Sequence, residues 1–440
     1  MALGGGKWAA QNKVLPGVYE NFTSVARSSA ALSARGIAAV ALPLNWGKEG
    51  EVFKLTASDF QKNSLAILGY SYDAPEMLPF RELFCNATTL FCYRLGSDAK
   101  AAANAYGTAK YPGIRGNDIK IVITSNIDNE NAFDVSTYIG TSLVDTQTVT
   151  LAESLVDNDF VVFTKTATLE TTAGTPMTGG VNCGDITGEM HQSFLDKIES
   201  YSYNVLCCSS ADETVVKLYS AFDKRIRDTL GCNSQLVAWK ADADYEGVIG
   251  VWNTAKHSKI ATVDEHSVVY WSAGAQAGVA VNASLTNVKY NGELDINVDY
   301  TQEQLADAIL AGKFILHNVN GEVRVLEDIN SLVTLTDEKG EVLQSNQTIR
   351  TCDGIANDTA VMFSEHYMGK VANDASGRAS LWNDVVKIYR AYENIRAIEN
   401  FDPEKVVVEI GGSKGAVSCS VNGLNIINAM SQLYINNVIQ

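Results

Sequence analysis

Apolar and polar residues follow different rhythms along the chain, and each rhythm predicts its own kind of layer. From Gly36 the run Ile37 to Leu42 is continuously apolar, which predicts a buried strand; a short helix is expected over Ala74 to Phe84 and a strand over Leu90 to Leu95. Between about Ser97 and Gly180 the period falls to two. Ile119, Ile121 and Ile123 alternate with Lys120, Val122 and Thr124, and Thr146, Thr148 and Thr150 with Gln147 and Val149. With a buried strand over Phe160 to Phe163, this Thr-, Asn-, Asp- and Gly-rich stretch reads as a small all-β module. It closes on Ala173-Gly174-Thr175-Pro176 and Gly179-Gly180, which read as linker.

After Gly180 helix and strand alternate. Val205 to Cys208, Leu236 to Trp239 and Val268 to Trp271 read as strands. A helix holds Asp196 to Glu199, another runs from Ala211 to Leu230 with Val215, Leu218, Phe222, Ile226 and Leu230 on one face, and a small-residue helix spans Ala273 to Val281. Such alternation implies parallel strands joined by helical crossovers. Gly274 and Gly278 are spaced for close packing of that last helix on the sheet. Thr301-Gln302-Glu303-Gln304 is a capping box opening a helix to Ala311, stopped by Gly312. Asn320-Gly321 then joins Phe314 to Val319 and Glu322 to Leu326 as a hairpin. A helical stretch from Asn357-Asp358 follows, then a long helix from about Ser380 to Glu399 with Leu381, Val385, Ile388, Tyr389, Tyr392 and Ile395 on one side. Asp402-Pro403 is expected to end it, ahead of strands Val406 to Ile410 and Ala416 to Val421.

The final rhythm is a β-branched and aromatic run, Leu433, Tyr434, Ile435, Val438 and Ile439, without the Lys, Pro or bulge that usually blunts an open strand edge. It either completes a sheet of its own chain or adds a strand to a neighbour's. Residues 1–20 read as an extended arm, in which Pro16 and Gly17 oppose both helix and central strand. The fold class is therefore α/β and α+β multidomain. An α/β core over 21–96 and 181–350 carries an inserted β module at 97–180, a C-terminal α+β domain spans 351–440, and arms lie at 1–20 and 431–440.

Charge and composition narrow the function. With 51 acidic against 34 basic residues the net charge is -17, ill suited to a phosphate backbone, so neither nucleic acid nor membrane is an expected partner. There is no continuous apolar core in residues 1–30, hence no expected signal peptide, and no apolar stretch long enough to span a bilayer. The eight cysteines contain no CxxC pair and read as reduced thiols.

Catalytic signatures are sparse. The five histidines form neither HxxxH nor HExxH, and no GxSxG precedes a helix. The turn Ser209-Ser210-Ala211-Asp212 has no glycine and places an acid where a phosphate would sit. Gly411-Gly412-Ser413-Lys414 lacks Walker spacing and reads as a tight turn; Asp128-Asn129-Glu130-Asn131 lacks the glycine and distal glutamate of a calcium loop and reads as a hairpin tip. No catalytic, cofactor or metal residues are assigned. A cytoplasmic α/β enzyme of unknown activity is the alternative that the helix and strand alternation leaves open.

Segments spread through the chain carry a resemblance: Leu15-Pro16-Gly17-Val18-Tyr19, Lys110 to Ile119 (KYPGIRGNDI), Thr172-Ala173-Gly174-Thr175 leading to Thr178-Gly179-Gly180, Asp244 to Val248, Val325 to Asn330, and Asn373 to Arg378 leading to Leu381-Trp382. Together they resemble the tail sheath protein of contractile-tailed phages and phage-tail-like bacteriocins of Gram-positive bacteria. The resemblance implies a non-enzymatic subunit that stacks as hexameric rings around an inner tube and contracts to drive that tube through a bacterial envelope. Another phage structural protein is the alternative within this resemblance. The partners of a sheath subunit would be further copies of itself, the tail tube protein, and baseplate and terminator proteins. Such a subunit would assemble in the cytoplasm of the producing bacterium and end in the particle. Carried over, the inter-subunit strands would be formed by Val14, Leu15, Val18 and Tyr19 at one end and by Leu433, Tyr434, Ile435, Val438 and Ile439 at the other. The inserted module would face outward and the C-terminal domain would lie nearest the tube.

Overall fold

The computed structural model describes residue 32 and residues 34–438. Its centre is a seven-stranded sheet in the order Lys313–Phe314, Val248–Val251, Gln235–Trp239, Val205–Cys207, Ile37–Leu42, Thr89–Arg94, Val52–Thr56. All neighbours are parallel except the last pair, Val52–Thr56 with Thr89–Arg94. The continuous apolar run Ile37–Leu42 is explained by its place: it is central, so both faces are covered. Ala38, Val40 and Leu42 face helices α1 (Ala57–Leu68), α2 (Leu78–Phe84) and α5 (Val268–Gly278); Ala39 and Ala41 face α3 (Gly188–Ile198) and α4 (Glu213–Arg225).

The sheet takes strands from both sides of the 97–180 stretch, which folds apart from it as an all-β excursion. One of its sheets has the order Thr172–Pro176, Ile119–Ser125, Phe133–Ile139, Ser142–Val149; the other joins Ala103–Asn104, Gly107–Ala109 and Val161–Phe163. Entry and exit strands meet at antiparallel bridges Lys100 to Val181 and Ala103 to Thr178. The excursion shares its core with the body: Trp46, fully buried, stacks edge-on against Tyr111 at 5.3 Å and lies 6.1 Å from Phe160.

Several expectations are corrected. Val268 to Trp271 is no strand but the first turn of α5, in which residues 268–277 are all buried, so no amphipathic period marks the helix. Gly274 and Gly278 do allow close approach, but to the α2 segment: a Cβ there would collide with the carbonyls of Leu83 and Asn86. The expected linker at 173–176 is the edge strand Thr172–Pro176, where a proline is tolerated because it lacks an outer neighbour. Val162 turns outward from the strand expected to be buried. Among the elements that escaped the reading are Val52–Thr56, α1 behind a Thr56/Asp59 capping box, and Val248–Val251.

Beyond the body, Asn320 (φ 53°) and Gly321 (φ 86°) turn the expected hairpin Leu316–Val319/Glu322–Val325. Helix α6 (Gln302–Leu310) starts at its Thr301/Gln304 capping box. Helix α7 (Asn346–His366) crosses from body to C-terminal region. Its first turns are buried in the body, and its later turns pack against α8 (Ala375–Asn394). Helix α8 stops before the expected Glu399: Arg396 takes a left-handed conformation (φ 62°), and Ile398–Glu399 leaves as a strand paired with Asn425–Ile426. A two-stranded hairpin, Val406–Ile410 with Val417–Val421, covers α8, and the Trp382 indole donates to the Val406 carbonyl at 2.9 Å.

Candidate assembly interface

The residues singled out at the chain ends fall into two groups. Val14, Leu15, Val18, Tyr19 and Ile439 lie outside the described residues. Leu433, Tyr434, Ile435 and Val438 are described, belong to no strand, and are 82, 87, 68 and 82% exposed. The first of the two sequence readings, a last strand for the chain's own sheet, is thereby corrected: the run pairs with none of the described strands.

The root of this run is held firmly. The Ile427 amide donates to the Ala397 carbonyl at 2.9 Å. Gln347, buried in the first turn of α7, then makes a reciprocal pair: its Nε2 donates to the Ile427 carbonyl at 3.1 Å and its Oε1 accepts from the Ala429 amide at 2.9 Å. The Asn428 side-chain oxygen accepts from Thr348 at 3.1 Å and Ser345 at 3.4 Å. From Met430 onward the only hydrogen bond among the described residues is local, Tyr434 to Gln432 at 2.7 Å.

A complementary feature lies on the hairpin Val406–Ile410/Val417–Val421. Neither of its edges is covered by another strand among the described residues, and Val407, Ile410 and Cys419 are exposed. An open two-stranded sheet and an unpaired strand-forming run in the same chain are what strand addition between copies requires.

The element that holds the root of the run, α7, is seated by buried polar networks. Arg350 donates to Asp328 at 2.6 Å and to Gln276 at 2.7 Å; Gln276 and Asn346 donate to the other Asp328 oxygen at 2.8 and 3.0 Å. Burial alone would raise the Asp328 carboxyl, but the Arg350 guanidinium and hydrogen bonds from Leu285 and Gln276 outweigh it and hold the group below the ordinary range. On another side of the helix Asp353 takes a bidentate pair from Arg227, both bonds 2.8 Å, with each side chain 9% exposed. Nearby Asp223 is fully buried with Oδ2 unpartnered, and burial pushes its carboxyl well above the ordinary carboxylate range. Arg35 reaches the same junction, donating to the carbonyls of Val279 and Gln276 at 3.0 Å each, and burial beside Arg350 lowers it to about 10.

The positions tested for chemistry have structural partners. Asp212 caps α4, accepting from the amides of Thr214 at 2.7 Å and Val215 at 3.3 Å, so its own carboxylate fills the helix N-terminus. His191 is buried against the Tyr219 hydroxyl at 2.9 Å, and burial lowers it to about 4. Gly411 to Ala416 is a turn closed by their backbone bond at 2.9 Å, and Asn126 organises the 126–131 tip through the amides of Asp128 and Asn129. Among the described residues no group of three or more His, Cys, Asp or Glu is placed to hold a metal, and no helix is long and apolar enough to cross a membrane.

Three of the segments that carried the resemblance hold elements in place. In KYPGIRGNDI, the Pro112 carbonyl accepts from Arg94 at 2.7 Å, Arg115 donates to Gly69 at 2.6 Å over the Tyr70 ring, and Asn117 exchanges two 2.8 Å bonds with Gly180. Gly113 (φ 127°) lies against the Asn45 carbonyl, leaving no room for a Cβ. Asp328 of the Val325 to Asn330 segment is the centre of the α7 network, and Asp374 caps α8 through Gly377 at 2.7 Å. Sequence reasoning missed Gln347 and Asn428, since isolated amides carry no pattern.

Comparison with known proteins covers nearly the whole chain. Four family models match in succession: the tail sheath protein Gp18 domain III N-terminal region at residues 35–95, the phage tail sheath protein beta-sandwich domain at 95–182, the phage tail sheath protein central domain at 184–331 and the phage tail sheath C-terminal domain at 338–440. The phage-like element PBSX protein XkdK of Bacillus subtilis is 33% identical over 380 residues, 81% of each chain. The crystal structure of a sheath tail protein from Desulfitobacterium hafniense superposes with a TM-score of 0.79 at 36% identity, over 89% of this chain and 93% of that one. One from Listeria innocua does so at 0.79 and 29%, over 91% and 95%.

Proposed function

The chain belongs to the phage tail sheath family, and from that premise we propose that it is the repeating subunit of a contractile sheath, stacked as hexameric rings around a tail tube and bound to its neighbours by exchanged strands. Membership supports a structural rather than enzymatic role. The observation that carries the finer reading is the exposed run Leu433, Tyr434, Ile435 and Val438 in a chain that also offers a hairpin with no described strand on either edge. In this reading the run adds a strand to the Val406–Ile410/Val417–Val421 hairpin of an adjacent copy, and the stretch Val14 to Tyr19 does the same from the other end.

The magnitudes suit an assembly that forms by many contacts at once. Burying Leu433, Tyr434, Ile435, Val438 and Ile439 gains roughly 7 to 15 kcal/mol. Ordering residues 431–439 costs about 9 to 18 kcal/mol. A single arm is marginal, and a lattice in which later contacts become intramolecular is stable. Tube, baseplate and terminator proteins are the remaining partners, with assembly in the producing cell before incorporation into a particle.

Electron microscopy of the purified, concentrated chain, alone and with tail tubes, tests this reading. Tubular or ring assemblies are expected. A chain that stays monomeric and never decorates tubes would sink it. Deleting residues 430–440 is expected to leave a folded monomer that forms no tubes.

A further inference from the structure

The passage from fixed to free chain occurs within one residue step. Ile427, Asn428 and Ala429 are each hydrogen-bonded to the first turns of α7 or to Ala397, whereas Met430 is fully exposed and, among the described residues, no hydrogen bond ties 430–438 to the body. The Gln347 side chain presents one donor and one acceptor to Ile427 and Ala429, as the backbone of a paired strand would. That turn of α7 is itself immobilised, since Asn346 and Arg350 on either side are bonded to buried Asp328.

We propose that Gln347 is the anchor of the C-terminal arm, a positioning residue that fixes where the arm begins and passes the pull of a neighbouring copy into the body through α7. The inference rests on the reading of the 433–439 run as an inter-subunit strand. Starting at Met430, residues 430–440 reach at most roughly 36 Å when extended. Without Gln347 the Ile427 carbonyl and the Ala429 amide lose their partner, and Ala429 joins the free chain with about 3 Å of slack. The pull then falls on the weaker bonds of Asn428 to Thr348 and Ser345, on the Ile427 bond to Ala397, and on the two-residue ribbon Asn425–Ile426/Ile398–Glu399.

The test compares three forms of the full protein: unaltered, Gln347→Ala, and the deletion of residues 430–440. Hydrogen exchange at the Ala429 amide is expected to rise at least ~10-fold in Gln347→Ala, because its acceptor is gone, while exchange in the central sheet is unchanged. Assembly measured by sedimentation is expected to fall by about 10-fold, since the backbone at Ala429 must then be ordered on binding. Because Gln347 is buried, Asn428→Ala provides a second variant at an exposed position, with a smaller loss in the same direction. If the deletion abolishes assembly while Gln347→Ala and Asn428→Ala assemble normally, the anchor is overturned and the arm stands. If the deletion also assembles normally, both fall. Unchanged exchange at Ala429 in Gln347→Ala overturns the anchor by itself.

Discussion

At the scale of single residues, function rests on buried charges that hold elements together. Asp328 accepts from Arg350, Gln276, Asn346 and the Leu285 amide, so Asp328→Ala leaves the Arg350 guanidinium buried without its counter-charge. A loss of about 3 to 5 kcal/mol is expected in urea unfolding. The carboxyl of Asp328 is held below the ordinary range, so its contribution is present above the unfolded Asp value and disappears as pH falls through the lower folded one. His191, lowered to about 4, adds to acid lability, since the unfolded chain gains a proton between its ordinary value near 6.5 and 4 that the fold refuses. Asp223 works in the opposite sense. Its raised carboxyl keeps a proton that the unfolded chain gives up, so stability falls as pH rises from the ordinary Asp value through the folded one. Asp223→Asn is therefore expected to stabilise the fold at pH 8, by about 1.4 kcal/mol for each pH unit of the shift it removes, and to bring no gain at pH 4. Thermal melts at the two pH values check this.

At the scale of elements, what was legible depended on whether the signal was local. The capping box at Thr301, the Asn320-Gly321 hairpin and the central strand Ile37–Leu42 have local causes and stand where the sequence put them. Helix α5 was misread at its start because a helix buried all round shows no period, and β-branched Val268 and Val269 then weigh toward strand. The edge strand Thr172–Pro176 was hidden by Gly and Pro, tolerated there because its outer edge is unpaired. The apolar run at Leu433 was visible, but its anchor was not: Gln347 and Asn428 gain meaning only when α7 brings them beside Ile427. A glycine that looked like sheet packing proves to be helix packing, with a consequence that can be measured. Gly278→Ala places a methyl against the Asn86 carbonyl, and about 1 to 3 kcal/mol of destabilisation is expected in urea unfolding, while Gly412→Ala, in open space, is near neutral.

At the scale of the whole molecule, the β excursion and the body are joined through Trp46 and through the Arg94 and Arg115 hydrogen bonds that cross between them. Trp46→Ala is expected to cost about 3 to 5 kcal/mol and to raise protease sensitivity at the junction near Pro112. The order of strands in the body also has a consequence for synthesis. Ile37–Leu42 lies between Thr89–Arg94 and Val205–Cys207, and about 110 residues separate those two partners in the chain. At ~5 to 20 residues per second, a ribosome leaves one edge of the central strand bare for roughly 5 to 20 s. The excursion is translated within that interval and has its own sheets, so it is expected to fold first. Limited proteolysis of nascent chains arrested after Gly180 would then cut near Ile37–Leu42 while sparing Ile119–Val149. The reverse pattern would show that the body waits for nothing.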